Sequence, residues 1–497
     1  MNPKVKDNQP ALPPPESGVT VRMYNPGFGD CFLLAFRAED GSPRYMLIDC
    51  GVHHQYHNGE DRQERMKRIA ADIAAATGKH LHIVAVTHEH TDHLYGFKYA
   101  REIFDDIQID DLWLAWTENG ADPVTKQLKQ LYGRSVAALN HAIARISPMN
   151  RALAAKLQGV LDFEMPSAEL KGEETAELKY LRGKCPHKLQ DSDDYRHPGE
   201  VLAIPGVKGV KVYVFGPPRN IGLIKKMNEK TELYPELAAL DELEAFTMAL
   251  MDISEEDKRF AQSRPFARFF EITREQAGSN HPFSGFFRQY YGFKKDTGHG
   301  PEWRRIDADW LAPAEQLALK INSYTNNTSL VIAIEITTAR PHKVLLFAAD
   351  AQAGNWLSWP ELEFPGEGPE GKSITGAELL QRTVFYKVGH HGSHNATLKS
   401  KGLEMMSNIG LVAMIPVDEK WAKEAQGWEH PAKNLLDCLE KKTGRRIIRT
   451  DEIPLGNKPP AKPNEADADD WRSFTERLDW DRSAAGAGQS LWIQYTV

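Results

Sequence analysis

Alternating apolar positions at Val19, Val21 and Met23 predict a first strand. "CFLLAF" predicts a second strand behind a Gly-containing turn, and "YMLIDCG" a third. The period then changes. In "EDRQERMKRIAADIAAATGKH", Met66, Ile69, Ala70, Ile73 and Ala76 recur at helical spacing, and Gly78 is a natural stop. "LHIVAVTH" reads as a buried strand and "DHLYGFKYAREIF" as a helix. Strands alternating with helices in this order predict a layered α/β architecture.

From about residue 105 to 320 charged helical segments dominate, such as "VTKQLKQLYGRSVAALNHAIARI" and "PELAALDELEAFTMALMDI". One strand, "VKVYVFGPP" near 210–216, interrupts them. This region is expected to be a mostly helical insertion between two halves of a core, 19–104 and 321–497. Strand patterns return at "SLVIAIEI", "KVLLFAAD", "VFYKVGHH", "IGLVAMIPV" and "RRIIRT", and the chain ends on "SLWIQYTV". The stretch near 455–488 reads as a polar, Pro-rich loop, and residues 1–18 as a disordered leader without a secretory h-region.

Composition adds bounds. Of 497 residues, 41% are hydrophobic, enough for a sizeable core. A net charge of -8 gives no global attraction to nucleic acid or anionic lipid. Cys31, Cys50, Cys185 and Cys438 show no zinc-knuckle spacing and fit a reducing compartment. No apolar run reaches the roughly eighteen residues of a membrane span. A cytoplasmic protein with no membrane association is the expectation.

The chemistry concentrates in "VTHEHTDHLYGF". His88, His90, Asp92 and His93 follow an apolar strand, and sites in α/β folds form outside the carboxyl ends of strands. His88 and His90 point the same way on an extended backbone. Four nitrogen or oxygen donors thus meet in one small volume and suit zinc, iron or manganese. Glu89, between two ligands, is expected to face away and be structural.

His-x-His-x-Asp-His after an apolar strand resembles the signature of the metallo-β-lactamase fold superfamily. "GFGDCFLL" resembles the opening hairpin of one branch, and "FYKVGHHGSHNAT" its Val-x-His-His-Gly-Ser block. That branch contains the C-terminal domain of the DNA-uptake (competence) channel protein and some phosphorylcholine esterases. The resemblance covers about residues 19–100 and 320–453, plus the last strand. It implies a four-layered αββα sandwich with two divalent metal ions, zinc or alternatively manganese, at one edge. His88 and His90 would serve the first ion, Asp92 and His93 the second, and Asp350 would bridge them. Asp49 would brace the histidine loop, and Asp30 would likewise sit behind the ligands. "HP" at His430 and "RTD" at Asp451 complete the set.

Which of His390 and His391 ligates is not fixed by the pattern, since adjacent strand residues face opposite ways and both can ligate only if the strand has already ended. His391 is favoured as the ligand, with His390 contacting substrate or donating a proton. His390 and His430, with Asp92, form the expected catalytic set beside a metal-bound hydroxide. Ser393 and Asn395 either bond the transferred group or cap a following helix. The chain departs from the family at Gly216, where many members carry a histidine. The first ion then has only His88, His90 and Asp350, unless His281 or His299 of the insertion completes it.

Fold does not fix function. The implied activity is hydrolysis of phosphodiester bonds, by a nuclease or phosphodiesterase. "RPFARFF" and "FFRQYYGFKK" offer rings that could stack bases, although such rings more often pack a core. The alternatives are a hydrolase of a small ester, thioester, lactone or phosphorylcholine-like substrate, and a non-enzymatic metal-containing partner or sensor. A protein partner is a further expectation by analogy; the oligomeric state is not set by these patterns.

Overall fold

The computed structural model describes residues 12–147, 151–164, 174–186, 189, 191–226, 277, 282–291, 312–368, 371–483 and 489–497. Their strands are β1 (Thr20–Tyr24), β2 (Cys31–Arg37), β3 (Pro43–Cys50), β4 (His80–Ala85), β5 (Gln108–Trp113), β6 (Val201–Leu202), β7 (Val210–Gly216) and β8 (Val331–Ile336). There follow β9 (Lys343–Phe347), β10 (Glu363–Phe364), β11 (Ile374–Thr375), β12 (Thr383–Lys387), β13 (Val412–Ile415), β14 (Ile447–Arg449), β15 (Leu478–Trp480) and β16 (Trp492–Thr496). They build two seven-stranded mixed sheets, in the orders β15-β16-β1-β2-β3-β4-β5 and β14-β13-β12-β9-β8-β7-β6, plus a β10-β11 hairpin. In the first sheet β3, β4 and β5 run parallel and the rest antiparallel. In the second, β9, β12, β13 and β14 run parallel.

Alternation explains how the sheets pack. Phe32, Leu34, Met46, Ile48 and Ile83 of the first sheet share one buried cluster with Val212, Ile332, Leu345, Phe347 and Met414 of the second. Phe32 and Phe347 meet edge to face at 5.9 Å. The intervening residues Leu33, Leu47 and Val84, and Leu346, Tyr386 and Ala413, join another cluster. That cluster takes in Met66, Ile69 and Ile73 of α1 (Arg62–Thr77), and Leu435 and Leu439 of the helix Lys433–Thr443. The chain is thus α/β.

α1 begins where Asp61 accepts from the backbone N–H groups of Gln63 and Glu64, and stops at Gly78 in the left-handed region. α2 (Thr91–Tyr99) starts directly after His90. Its first turn lies so close to Gly51 that any Cβ there would overlap the backbone of Asp92 and His93. That contact fixes the histidine loop against the end of β3.

Several boundaries are corrected. β5, β6 and β7 lie in stretches assigned to the insertion but are strands of the two sheets. The chain divides into a larger unit, Met1–Lys129, Phe163–Glu236 and Ser323–Val497, and a smaller one, Gln130–Asp162 and Leu237–Asn322. The paired acids of "QIDDLW" break the apolar pattern of β5, although Ile109 and Leu112 are buried. The polar stretch 455–488 is not all loop. Asp467 caps a helix, Ala468–Thr475, that buries Trp471 and Phe474 and leads into β15. Of the expected leader, residues 12–18 are described, and the Leu12 carbonyl accepts from the Tyr45 hydroxyl at 2.9 Å. "PELAALDELEAFTMALMDI" lies outside the described residues. Among the described residues no helix is long and apolar enough to cross a membrane.

Candidate metal centre

Four strand ends build the site. Asp49 is the last but one residue of β3, β4 leads to the stretch from His88 to His93, β9 leads to Ala349 and Asp350, and β12 leads to His390 and His391. Asp49, Ala349, His390 and His391 all have positive φ, at 56°, 48°, 45° and 52°. Each such non-glycine residue costs on the order of 1 kcal/mol or more, and such strain gathers at functional sites. β12 has ended before the two histidines, so strand alternation no longer separates them. His391 is fully buried, while His390 keeps 14% of its side chain exposed.

Asp49 organises the histidine loop. Its Oδ1 accepts from the Thr87 backbone N–H at 2.8 Å, and its Oδ2 from the Thr87 hydroxyl at 2.7 Å. His93 Nδ1 donates to the same Oδ2 at 2.7 Å. This bond fixes a proton of His93 on Nδ1 and turns Nε2 inward, where it would ligate an ion once unprotonated. His391 repeats the device: Nδ1 donates to the Pro416 carbonyl at 2.6 Å, and Nε2 lies 2.9 Å from Asp92 Oδ2. His88 Nε2 stands 2.9 Å from His90 Nδ1. Ser329 Oγ is 3.4 Å from His88 Nδ1.

Two groups of ligand atoms result, each gathered within 4.8 Å: His88, His90 and Asp350, and Asp30, His93, Asp350 and His391. Asp350 belongs to both. Asp92 enters the second through His391 and lies 3.8 Å from His93 Nε2. Asp30 Oδ1, Asp350 Oδ2, Asp92 Oδ1 and His93 Nε2 are buried without a hydrogen-bond partner. Asp350 Oδ2 and His93 Nε2 approach to 3.3 Å. Donor atoms converging this way could hold a cation, and imidazole with carboxylate would fit a borderline divalent ion such as zinc.

The electrostatics agree. Burial opposes charge on Asp350, but His93, His390 and Lys387 outweigh it and hold the carboxyl well below its usual range. Burial also opposes charge on His93, yet Asp350, Asp49, Asp92 and Asp30 push it well above the ordinary imidazole range. His391 is raised against burial by its bond to Asp92 and by Asp350. Burial, with His93 and His90 nearby, keeps His88 well below.

The chain matches no family model and no curated protein. The site therefore stands on its own geometry.

Lys387 was not singled out by its pattern. It ends β12, is nearly fully buried, and pairs with Asp30 Oδ2 while lying 3.5 Å from Asp350 Oδ1. Its signal was a charged residue closing the apolar run "TVFYK". Gln352 and Thr87 were missed as well. Glu89 is buried away from the ligand groups, and its Oε2 accepts from the Thr175 backbone N–H at 3.4 Å. Ser393 donates to Asn395 Oδ1 at 2.9 Å, and no helix follows them, so they brace the loop rather than cap. His430 lies beside His390, ring centroids 5.6 Å apart, and its Nδ1 is buried without a hydrogen bond. Asp451 lies in a separate cluster, bound to Arg449 at 2.7 and 2.9 Å.

At Gly216 any Cβ would overlap Asn355 Oδ1. Asn355 is fixed there by Trp359 Nε1, which donates to its Oδ1, and by its own bonds to the Asn327 and Ser329 carbonyls. A histidine has no room at this position. Gly216→Ala is expected to destabilise the protein by about 1–3 kcal/mol through overpacking, read as a shifted urea midpoint. His281 and His299 lie outside the described residues. Of the aromatic stretch, Ser284–Tyr291 is a helix with Phe286 and Tyr290 exposed, and "RPFARFF" lies outside.

A third group, His80, His82 and Asp110, sits half-exposed on β4 and β5. His82 Nδ1 accepts from the Tyr45 backbone N–H at 3.1 Å, so the ring's own proton sits on Nε2 and neither nitrogen offers a free lone pair. This group is a hydrogen-bonded surface pair with a stacked neighbour, not a ligand set.

Proposed function

We propose that the chain is a metal-dependent hydrolase of the metallo-β-lactamase fold, a four-layered αββα sandwich with a helical insertion, cleaving phosphodiester bonds. The observation that carries this reading is Asp350, one buried carboxylate shared by two groups of converging ligand atoms. His88, His90 and Asp350 would hold one ion, and Asp92, His93, His391 and Asp350 the other. Three protein donors on the first ion suit a catalytic rather than a closed structural site. A pair of ions would supply Lewis acidity to a phosphoryl group and lower the pKa of water.

The chain's own groups do the rest. Asp49 keeps His93 in one tautomer. Gln352 Nε2 donates to His390 Nδ1 at 3.3 Å, which assigns the His390 proton to Nε2. Burial lowers the His390 pKa to about 4. His390 is therefore neutral near pH 7 and presents an N–H to a substrate oxygen, as a hydrogen-bond donor rather than an imidazolium acid. Burial and His390 also hold His430 low.

A pH profile follows. A group required in its charged form with a pKa near 4 would already be lost above pH 5. The rate is instead expected to stay level between about pH 6 and pH 8 as far as His390 is concerned. His390→Gln should lower kcat about 10²-fold without moving the profile. An alkaline limb near 6.5 that vanishes in His390→Gln would contradict the neutral role.

Substrate class is tested with zinc- or manganese-loaded protein on single- and double-stranded DNA, RNA, a small phosphodiester and a panel of esters, thioesters and lactones. Cleavage of phosphodiesters that stops with chelator is expected. Turnover of esters alone would replace this reading with that of a small-ester hydrolase. Tightly held metal without any turnover would favour a sensor.

A further inference from the structure

We propose that Lys387 is a positioning residue of the metal centre, which takes Asp30 out of the ligand set and turns Asp350 so that Oδ2 faces the ligand nitrogen of His93. This rests on the metal-centre reading above. Asp30 and Asp92 compete for a place beside His93 and His391. Asp30 Oδ2 is occupied by the Lys387 ammonium. Its Oδ1 stands 3.7 Å from His391 Nδ1, the nitrogen already committed to the Pro416 carbonyl. Asp92 Oδ2 instead faces His391 Nε2 at 2.9 Å, the nitrogen free to ligate.

The ammonium is itself fixed, donating to the Ala349 carbonyl at 2.9 Å. Ala349 is in the left-handed region, so the carbonyl that receives the ammonium belongs to a conformationally special residue immediately before Asp350. With Asp350 Oδ1 3.5 Å from the ammonium, Oδ2 points to His93 Nε2 at 3.3 Å and has no hydrogen bond. The backbone supports the same division. Asp30 N–H donates to the Asp92 carbonyl, and Gly51 N–H to the Asp30 carbonyl, both at 2.9 Å. Asp30 thus buttresses the loop that carries Asp92 while its side chain anchors Lys387.

The test is metal stoichiometry and affinity by chelator competition and elemental analysis, on the full chain. Asp30→Asn should still bind two ions, whereas Asp92→Asn should bind one. Lys387→Met should weaken the more loosely held ion by about 10–100-fold, the usual loss when a group behind a ligand is removed. The pair Lys387→Met with Asp30→Asn removes both charges and so preserves charge balance where the single variant fails to fold. It should show the same weakening, because Asp350 is no longer held. Loss of an ion in Asp30→Asn overturns the proposal by making Asp30 a ligand. Wild-type affinity in the double variant overturns it by reducing Lys387 to a counter-charge for Asp30. Wild-type protein that binds no ion overturns the metal centre itself.

Discussion

Asp350→Asn is expected to lower kcat/KM by about 10³-fold or more, the scale seen when one group acting directly on developing charge is removed. Metal content should fall from two ions to at most one. Asparagine has nearly the volume of aspartate, so packing around β9 is retained. The chemistry is not. Lys387 would favour the amide oxygen on its side, where Oδ1 now lies 3.5 Å away. The amide nitrogen would then point its protons at His93 Nε2, where both ligand groups need a lone pair. His88→Ala, by contrast, strips only the first group. Asp110→Asn makes the control, since that carboxylate bonds His80 at 2.7 Å on a surface where no ligand set is formed. A purified Asp350→Asn protein with two ions and activity within tenfold of wild type would remove the basis of the reading.

What the sequence made legible was whatever is local along the chain. His88, His90, Asp92 and His93 lie close along the chain, so a strand end and a helix start bring them together without long-range information. The α/β order was readable because buried strands such as "LHIVAVTH" carry no helical period. The harder points were contacts between distant segments. Asp30 and Lys387 are 357 positions apart by their numbers, and only the folded chain reveals that they neutralise one another. The question of His390 and His391 turned on two successive left-handed residues, a conformation that neither side chain announces. Edge strands were missed for a different reason. β5 and β15 each have one neighbour in their sheet, so acids such as Asp110 and Asp479 remain part-exposed and blur the alternation. Gly216 was read as a missing ligand. In the fold it is a close-packing glycine against Asn355.

Metal removal is expected to destabilise the protein, and more so at high pH. Among the described residues the centre holds Asp30, Asp49, Asp92 and Asp350, all buried, against the single fixed cation Lys387. Without ions, protons take their place. His93 and His391 both have pKa values raised above the ordinary 6.5, because the carboxylates around them outweigh burial. A group whose folded pKa is raised contributes stability that is complete below its unfolded pKa. That contribution is lost as pH rises through the folded value. Chelated protein therefore keeps two compensating imidazolium charges at about pH 6 and loses them as the solution becomes alkaline. Ion binding runs the other way, since ligating imidazoles must be unprotonated and affinity grows with pH. Ions at a hundred to a thousand times their Kd stabilise by about 2.7–4.1 kcal/mol. The difference in Tm between loaded and chelated protein should thus be small near pH 6. It should widen to several degrees near pH 8.5, on the order of 5 °C. Thermal melts with and without chelator across that range measure it. A gap that narrows as pH rises would mean that these carboxylates are balanced by something other than the two imidazoles and the ions they displace.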